Sequence, residues 1–166
     1  MIYLPTHFTK TVTNTFTVGA EWLARLPDLL AECEQRWDLT VRPSPFELSY
    51  NYVAPATLSD GTEIVLKVGV PNRELRTEIE ALRFYNGRGC VCLLDADPDA
   101  GILLLERLYP GEMLTTITDD DEATRIAAQM MQSLWRPLPA EHNFPSVADW
   151  AAGLAEMRQE FGGGTG

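Results

Sequence analysis

Apolar residues recur along the chain with two different periods. From Glu21 to Trp37, the residues Leu23, Leu26, Leu30, Cys33 and Trp37 follow three-and-four spacing, which predicts an amphipathic helix interrupted near its start by Pro27. Phe46 to Pro55 and Thr62 to Val70 are β-rich runs joined through Ser59-Asp60-Gly61, a turn signal, and read as paired strands. The helical period then returns. Leu75, Ile79, Leu82 and Asn86 share one face of a helix expected from about Arg73 to Asn86, with Asn72 as its cap after Pro71 and with Gly87 and Gly89 as its stop. Val91 to Leu94 and Gly101 to Leu108 read as a second hairpin. Two strands, a helix and two more strands imply an α+β fold on an antiparallel sheet with one key helix.

Beyond Tyr109-Pro110-Gly111 the pattern turns helical. Asp119, Asp120 and Asp121 precede a helix expected over Glu122 to Trp135, and acid at a helix start is favoured by the dipole. A contiguous acidic run cannot converge on one ion from an extended chain, so these residues read as helix start and not as metal ligands. Ser146 with Asp149 resembles a capping box, after which Val147, Trp150, Leu154, Met157 and Phe161 form an apolar stripe. A stripe of this kind needs a partner, and self-association is the expected outcome. The expected division is residues 1–108 and residues 109–166.

Lys67 departs from this pattern. It sits in the run Glu63-Ile-Val-Leu-Lys-Val68, where an ammonium must either reach water or meet an anion, because unpaired burial costs several kcal/mol. An edge-strand lysine with its head in solvent is the ordinary outcome. On the following helix, Glu78 lies at the edge of the apolar stripe, Glu74 is one turn earlier and farther from its centre, and Glu80 points the other way. Glu78 is therefore the carboxylate best placed to meet Lys67. Its ordinary reading alone is a solvated helix flank.

The ordered set resembles the aminoglycoside phosphotransferase superfamily, in its streptomycin 6-kinase and hydroxyurea-type antibiotic kinase branch. The stretches that carry the resemblance are Ser49-Tyr-Asn-Tyr-Val-Ala-Pro55, Leu58 to Val68, Arg73 to Gly89 and Leu103-Leu-Leu-Glu-Arg-Leu-Tyr-Pro-Gly-Glu-Met-Leu114, with weaker similarity from Phe144 to Trp150. The resemblance implies a protein-kinase-like small lobe over residues 1–108, followed by the hinge and the first helices of an incomplete large lobe over residues 109–166. It implies ATP and Mg²⁺ as cofactors, with a small-molecule hydroxyl as acceptor. Lys67 would contact the phosphates, Glu78 would hold Lys67, Glu106 and Leu108 would present backbone groups to adenine, and the turn from Ser49 to Tyr52 would cover the nucleotide. That turn lacks the glycines of a protein-kinase phosphate loop.

The same resemblance calls for a catalytic Asp in a His-Gly-Asp context, an Asn a few residues later and a further Asp for Mg²⁺. The two histidines are His7, followed by Phe8, and His142, followed by Asn143, so the motif is absent from this sequence. The expectation is an ATP-binding amino-terminal part of such a kinase that performs no transfer by itself. A stand-alone nucleotide-binding module and a protein-interaction module are the alternatives.

Composition changes this picture little. The 45% hydrophobic content is ordinary for a chain with a core, and the net charge of −11 argues against nucleic acid while suiting a cationic substrate. No apolar run approaches the length of a bilayer span and the start of the chain lacks a signal-peptide pattern, so a cytoplasmic location is expected. Cys33, Cys90 and Cys92 are odd in number and make a poor disulfide framework or zinc site; buried thiols are expected. Asp95-Ala-Asp-Pro-Asp-Ala-Gly101 imitates a calcium loop, but its glycine falls at the seventh position and Pro98 stiffens it, so a hairpin turn is expected. The terminal Gly162-Gly-Gly-Thr-Gly166 lacks the lysine of a phosphate loop and reads as a linker or cut end.

Overall fold

The computed structural model describes residues 2–160 and 162–163. The chain divides into two compact units, Met1–Arg136 and Pro137–Gly166. In the first, α1 (Thr6–Thr15) and α2 (Gly19–Trp37) precede β1 (Leu39–Val41), β2 (Tyr52–Leu58) and β3 (Glu63–Val68). Then come α3 (Arg73–Tyr85), β4 (Leu93–Asp97), β5 (Ile102–Glu106), a 3₁₀ turn at Leu114–Thr116 and α4 (Asp120–Leu134). The five strands form one antiparallel sheet in the order β1-β2-β3-β5-β4. The α+β class and the antiparallel sheet are as the sequence implies.

Helices cover the sheet on both faces. Alternation along each strand sends Tyr52, Ala54, Ala56, Ile64, Leu66, Val68, Ile102 and Leu104 into one cluster with Phe8 and Val12 of α1 and Trp22, Leu26, Leu29, Leu30 and Cys33 of α2. Leu103, Leu105 and Ala96 face the other way and pack with Leu75, Ile79 and Leu82 of α3, with Val65 alongside. Because β5 is covered on both sides, Ile102 to Leu105 form an unbroken buried run instead of alternating. The core on the α1–α2 side is the larger of the two.

Several sequence expectations need correction. The α2 helix runs unbroken through Pro27, which lies exposed on its solvent side; packing of Leu26, Leu29 and Leu30 offsets the hydrogen bond that the proline removes. The expected strand from Phe46 begins only at Tyr52. Phe46, Leu48, Tyr50 and Tyr52 mimic a two-residue period, but the first three are consumed separately in an irregular connection that carries Pro43 and Pro45. The strand β4 extends into what reads as a turn. Its polar residues Asp95 and Asp97 serve at an edge, where Asp95 accepts from Trp37 Nε1 at 2.7 Å and Asp97 accepts from Arg36.

The turn that remains, Pro98 to Gly101, is closed by Asp97 Oδ1, which accepts from the amides of Asp99 and Ala100 at 3.1 and 2.9 Å. These bonds and the Arg36 guanidinium hold the Asp97 carboxyl below the ordinary range. Asp38 and Asn86, both left-handed, end α2 and α3 in place of the expected glycine stop at α3. Cys33 is buried, whereas Cys90 and Cys92 are only half-buried. Burial raises the Cys33 thiol to about 11, with Glu32 adding to the effect.

Local capping signals are read correctly. Asp119 Oδ1 accepts from the amides of Asp121 and Glu122 at 3.0 and 3.1 Å to start α4. In the second unit, α5 spans Val147–Glu160, and Ser146 and Asp149 form the expected reciprocal box: Asp149 Oδ2 accepts from the Ser146 amide at 2.7 Å and Ser146 Oγ from the Asp149 amide at 3.2 Å. Val147, Trp150, Leu154 and Met157 are exposed on α5, and Phe161 lies outside the described residues.

Candidate functional site

The geometry begins with β3. Its alternation places Ile64, Leu66 and Val68 toward α1 and α2, which leaves Val65 and Lys67 on the α3 face. Lys67 is in register with Val53 on β2 and with Leu103 on β5, so its stem is flanked by apolar strands. The α3 helix starts where the Asn72 side chain accepts from the Leu75 amide at 2.8 Å, and it buries Leu75, Ile79 and Leu82 against the sheet. Glu78, one residue before Ile79, is thereby turned to the flank facing Lys67.

The Lys67 ammonium lies 2.7 Å from both carboxylate oxygens of Glu78. The two side chains retain 18% and 36% of their exposure, so the pair is sheltered without being sealed from water. An ammonium carries three donors, and Glu78 takes two.

A cavity of about 380 Å³ adjoins the pair. Glu78, Glu74 and Leu75 of α3 line it opposite Tyr50 and Asn51 of the β1–β2 connection; Thr15, Phe16 and Asn72 complete the wall. Lys67 does not line it. Tyr50 and Asn51 belong to the Ser49–Tyr52 turn on which the resemblance rests, whereas Ser49 is exposed and does not line this wall. Asn51 approaches the chain closely just beyond the end of β3. A Cβ at Gly69 would fall 2.1 Å from Asn51 Oδ1, and one at Gly101, whose φ is +74°, would fall 2.2 Å from the Gly69 carbonyl.

Glu106 ends β5 with both its amide and its side chain committed. Its amide donates to the Cys92 carbonyl at 3.0 Å, and its Oε1 accepts from the Cys92 amide at 2.7 Å. Leu108 is exposed two residues further on. Beside it, the Tyr109 hydroxyl donates to Glu63, a bond that raises the phenol above its ordinary value.

A sequence-family model described as aminoglycoside/hydroxyurea antibiotic resistance kinase matches residues 36–165. The chain belongs to this family. Among curated relatives of this kinase family, the streptomycin 6-kinase of Streptomyces glaucescens is 36% identical over 138 residues, covering 83% of this chain and 45% of the relative. The streptomycin 6-kinase of Streptomyces griseus is 33% identical over 138 residues, with the same coverage of 83% and 45%. The hydroxyurea phosphotransferase of Kitasatospora aureofaciens is 37% identical over 138 residues, covering 82% of this chain and 40% of the relative. The chain thus spans less than half the length of these relatives. No solved structure matches it significantly. No described helix is long and apolar enough to cross a membrane.

Proposed function

We propose that this chain is the ATP-binding amino-terminal part of a small-molecule O-phosphotransferase, with a hydroxyl-bearing, antibiotic-like acceptor of the kind named for its relatives. The observation that carries the reading is the Lys67–Glu78 pair, a carboxylate-held ammonium on a sheet face flanked by Val53, Val65 and Leu103. Glu78 fixes the direction of Lys67 and leaves a donor for the α- and β-phosphates. Neighbouring apolar side chains suit a flat base. The Glu106 carbonyl and the Leu108 amide would read the adenine edge, since the Glu106 amide is already used. Ser49 to Tyr52, through Tyr50 and Asn51, would cover the phosphates.

ATP supplies the γ-phosphoryl group; this chain's residues bind and orient it. Among the described residues no group of three or more His, Cys, Asp and Glu converges, so a Mg²⁺ ion would reach this part only with the nucleotide. In this reading, residues 1–108 are a kinase-like small lobe and residues 109–166 are the hinge and part of a helical large lobe, in a cytoplasmic protein. The apolar face of α5, with Val147, Trp150 and Leu154 exposed, supports self-association.

The test is thermal stabilisation by Mg-ATP, since a ligand that binds only the folded chain raises its melting temperature. Lys67→Met should remove at least about half of the shift. No shift in the unaltered chain, together with no binding by calorimetry, would overturn the reading.

A further inference from the structure

The β1–β2 connection, residues 42–51, is tied down from outside itself. It contains no glycine, and Pro43 and Pro45 restrict its backbone. His7 Nε2 of α1 donates to the Leu48 carbonyl at 2.9 Å, and the Leu48 side chain is buried. Asn51 rests on Gly69 at the far end. The middle is held differently. The Arg107 guanidinium lies 5.5 Å from the ring centroid of Phe46 and 5.7 Å from that of Tyr109, while the Tyr109 hydroxyl donates to Glu63 on β3. This stack joins the connection to the segment that leaves β5, the strand beside Lys67.

We propose that Arg107 is a positioning residue: it holds the 42–51 connection, whose Tyr50 and Asn51 share a cavity with Glu78, and so sets nucleotide affinity through that connection. The proposal rests on the nucleotide reading above. Tyr50 and Asn51 share one cavity with Glu78, so loosening the connection changes the space beside the pair. Phe46 is the point of leverage, because Leu48 and Asn51 keep contacts of their own with His7 and Gly69, whereas the Phe46 contact depends on Arg107 alone. The one cation–π contact that reaches the connection, Arg107 on Phe46, favours the tethered arrangement by roughly 2- to 5-fold.

Hydrogen exchange read by mass spectrometry, on the full chain and on Arg107→Met and Arg107→Lys, tests this. In Arg107→Met, amides of residues 44 and 46–51 should exchange roughly 2- to 5-fold faster, with β3 and β5 unchanged. Arg107→Lys, which restores a cation, should recover part of the protection. The dissociation constant for Mg-ATP should rise by the same factor in Arg107→Met. Unchanged exchange in this segment, or a uniform rise across the sheet, overturns the positioning role. Faster local exchange with unchanged ATP affinity refutes the coupling alone. If the unaltered chain fails to bind ATP, the nucleotide reading and its affinity consequence fall together, and the exchange comparison still decides whether Arg107 tethers the segment.

Discussion

Lys67→Met keeps the aliphatic stem beside its register neighbours Val53 and Leu103 and removes the ammonium. Its cost to the unliganded fold lies between two limits: exposed ion pairs contribute about 0.2–1 kcal/mol, and removing half of a fully buried pair costs about 3–5 kcal/mol. Glu78 retains 36% exposure and can turn to water once released, so about 1 kcal/mol is expected. That corresponds to a drop of about 2–4 °C in Tm for a chain of this size.

The effect on ATP is larger. At a hundredfold excess over its Kd, a ligand stabilises the folded state by about 2.7 kcal/mol. Loss of a charged hydrogen bond removes about 1.5–3 kcal/mol of binding and raises Kd about 10- to 150-fold. At the same ATP concentration, stabilisation then falls to about 0.3–1.4 kcal/mol. Differential scanning calorimetry with and without Mg-ATP separates the two effects, because one appears without ligand and the other only with it. An ATP-induced shift in Lys67→Met equal to that of the unaltered chain would refute the assignment of Lys67 to the phosphates.

Asp97→Ala should cost about 1–2 kcal/mol at pH 7 by urea unfolding. The folded carboxyl titrates below its ordinary 3.8, so its contribution is present above that value and is lost as pH falls through the lowered one; the gap between variant and unaltered chain should narrow once Asp97 is protonated in both the folded and the unfolded state of the latter. Iodoacetamide at pH 8 should label Cys90 and Cys92 in the folded protein well before Cys33, whose buried thiol is pushed to about 11, and peptide mass spectrometry would expose the reverse order. Light scattering should show a dimer or larger assembly at high concentration that Trp150→Glu reduces, and a clean monomer in the unaltered chain would contradict self-association.

The elements and contacts legible in the sequence are those encoded locally. The α3 helix announces itself through Asn72, its apolar spacing and its position after Pro71, and the two periods together bring Lys67 and Glu78 to the same side of the sheet. Asp119, Ser146 and Asp149 act within three residues of themselves. By contrast, Thr-rich α1 has weak helix propensity and no side-chain cap; it stands because Phe8 and Val12 are buried and Phe8 packs edge-on against Trp22. The short β1 exists through pairing with β2. Arg107 on Phe46 and His7 on Leu48 join residues 61 and 41 positions apart, beyond the reach of any periodicity. The Ser49–Tyr52 stretch could be flagged, but which of its side chains meets the cavity depends on how the chain turns between Leu48 and Tyr52.

The family match starts at residue 36, whereas the core beneath the sheet starts at Phe8. Homology and folding therefore draw different borders on this polypeptide. A version trimmed to the homologous stretch would lose Phe8, Val12, Trp22, Leu26 and Cys33 together and lay bare the underside of four strands, an adhesive surface that invites precipitation. The two leading helices therefore belong to the scaffold of Lys67 as much as the strand that bears it.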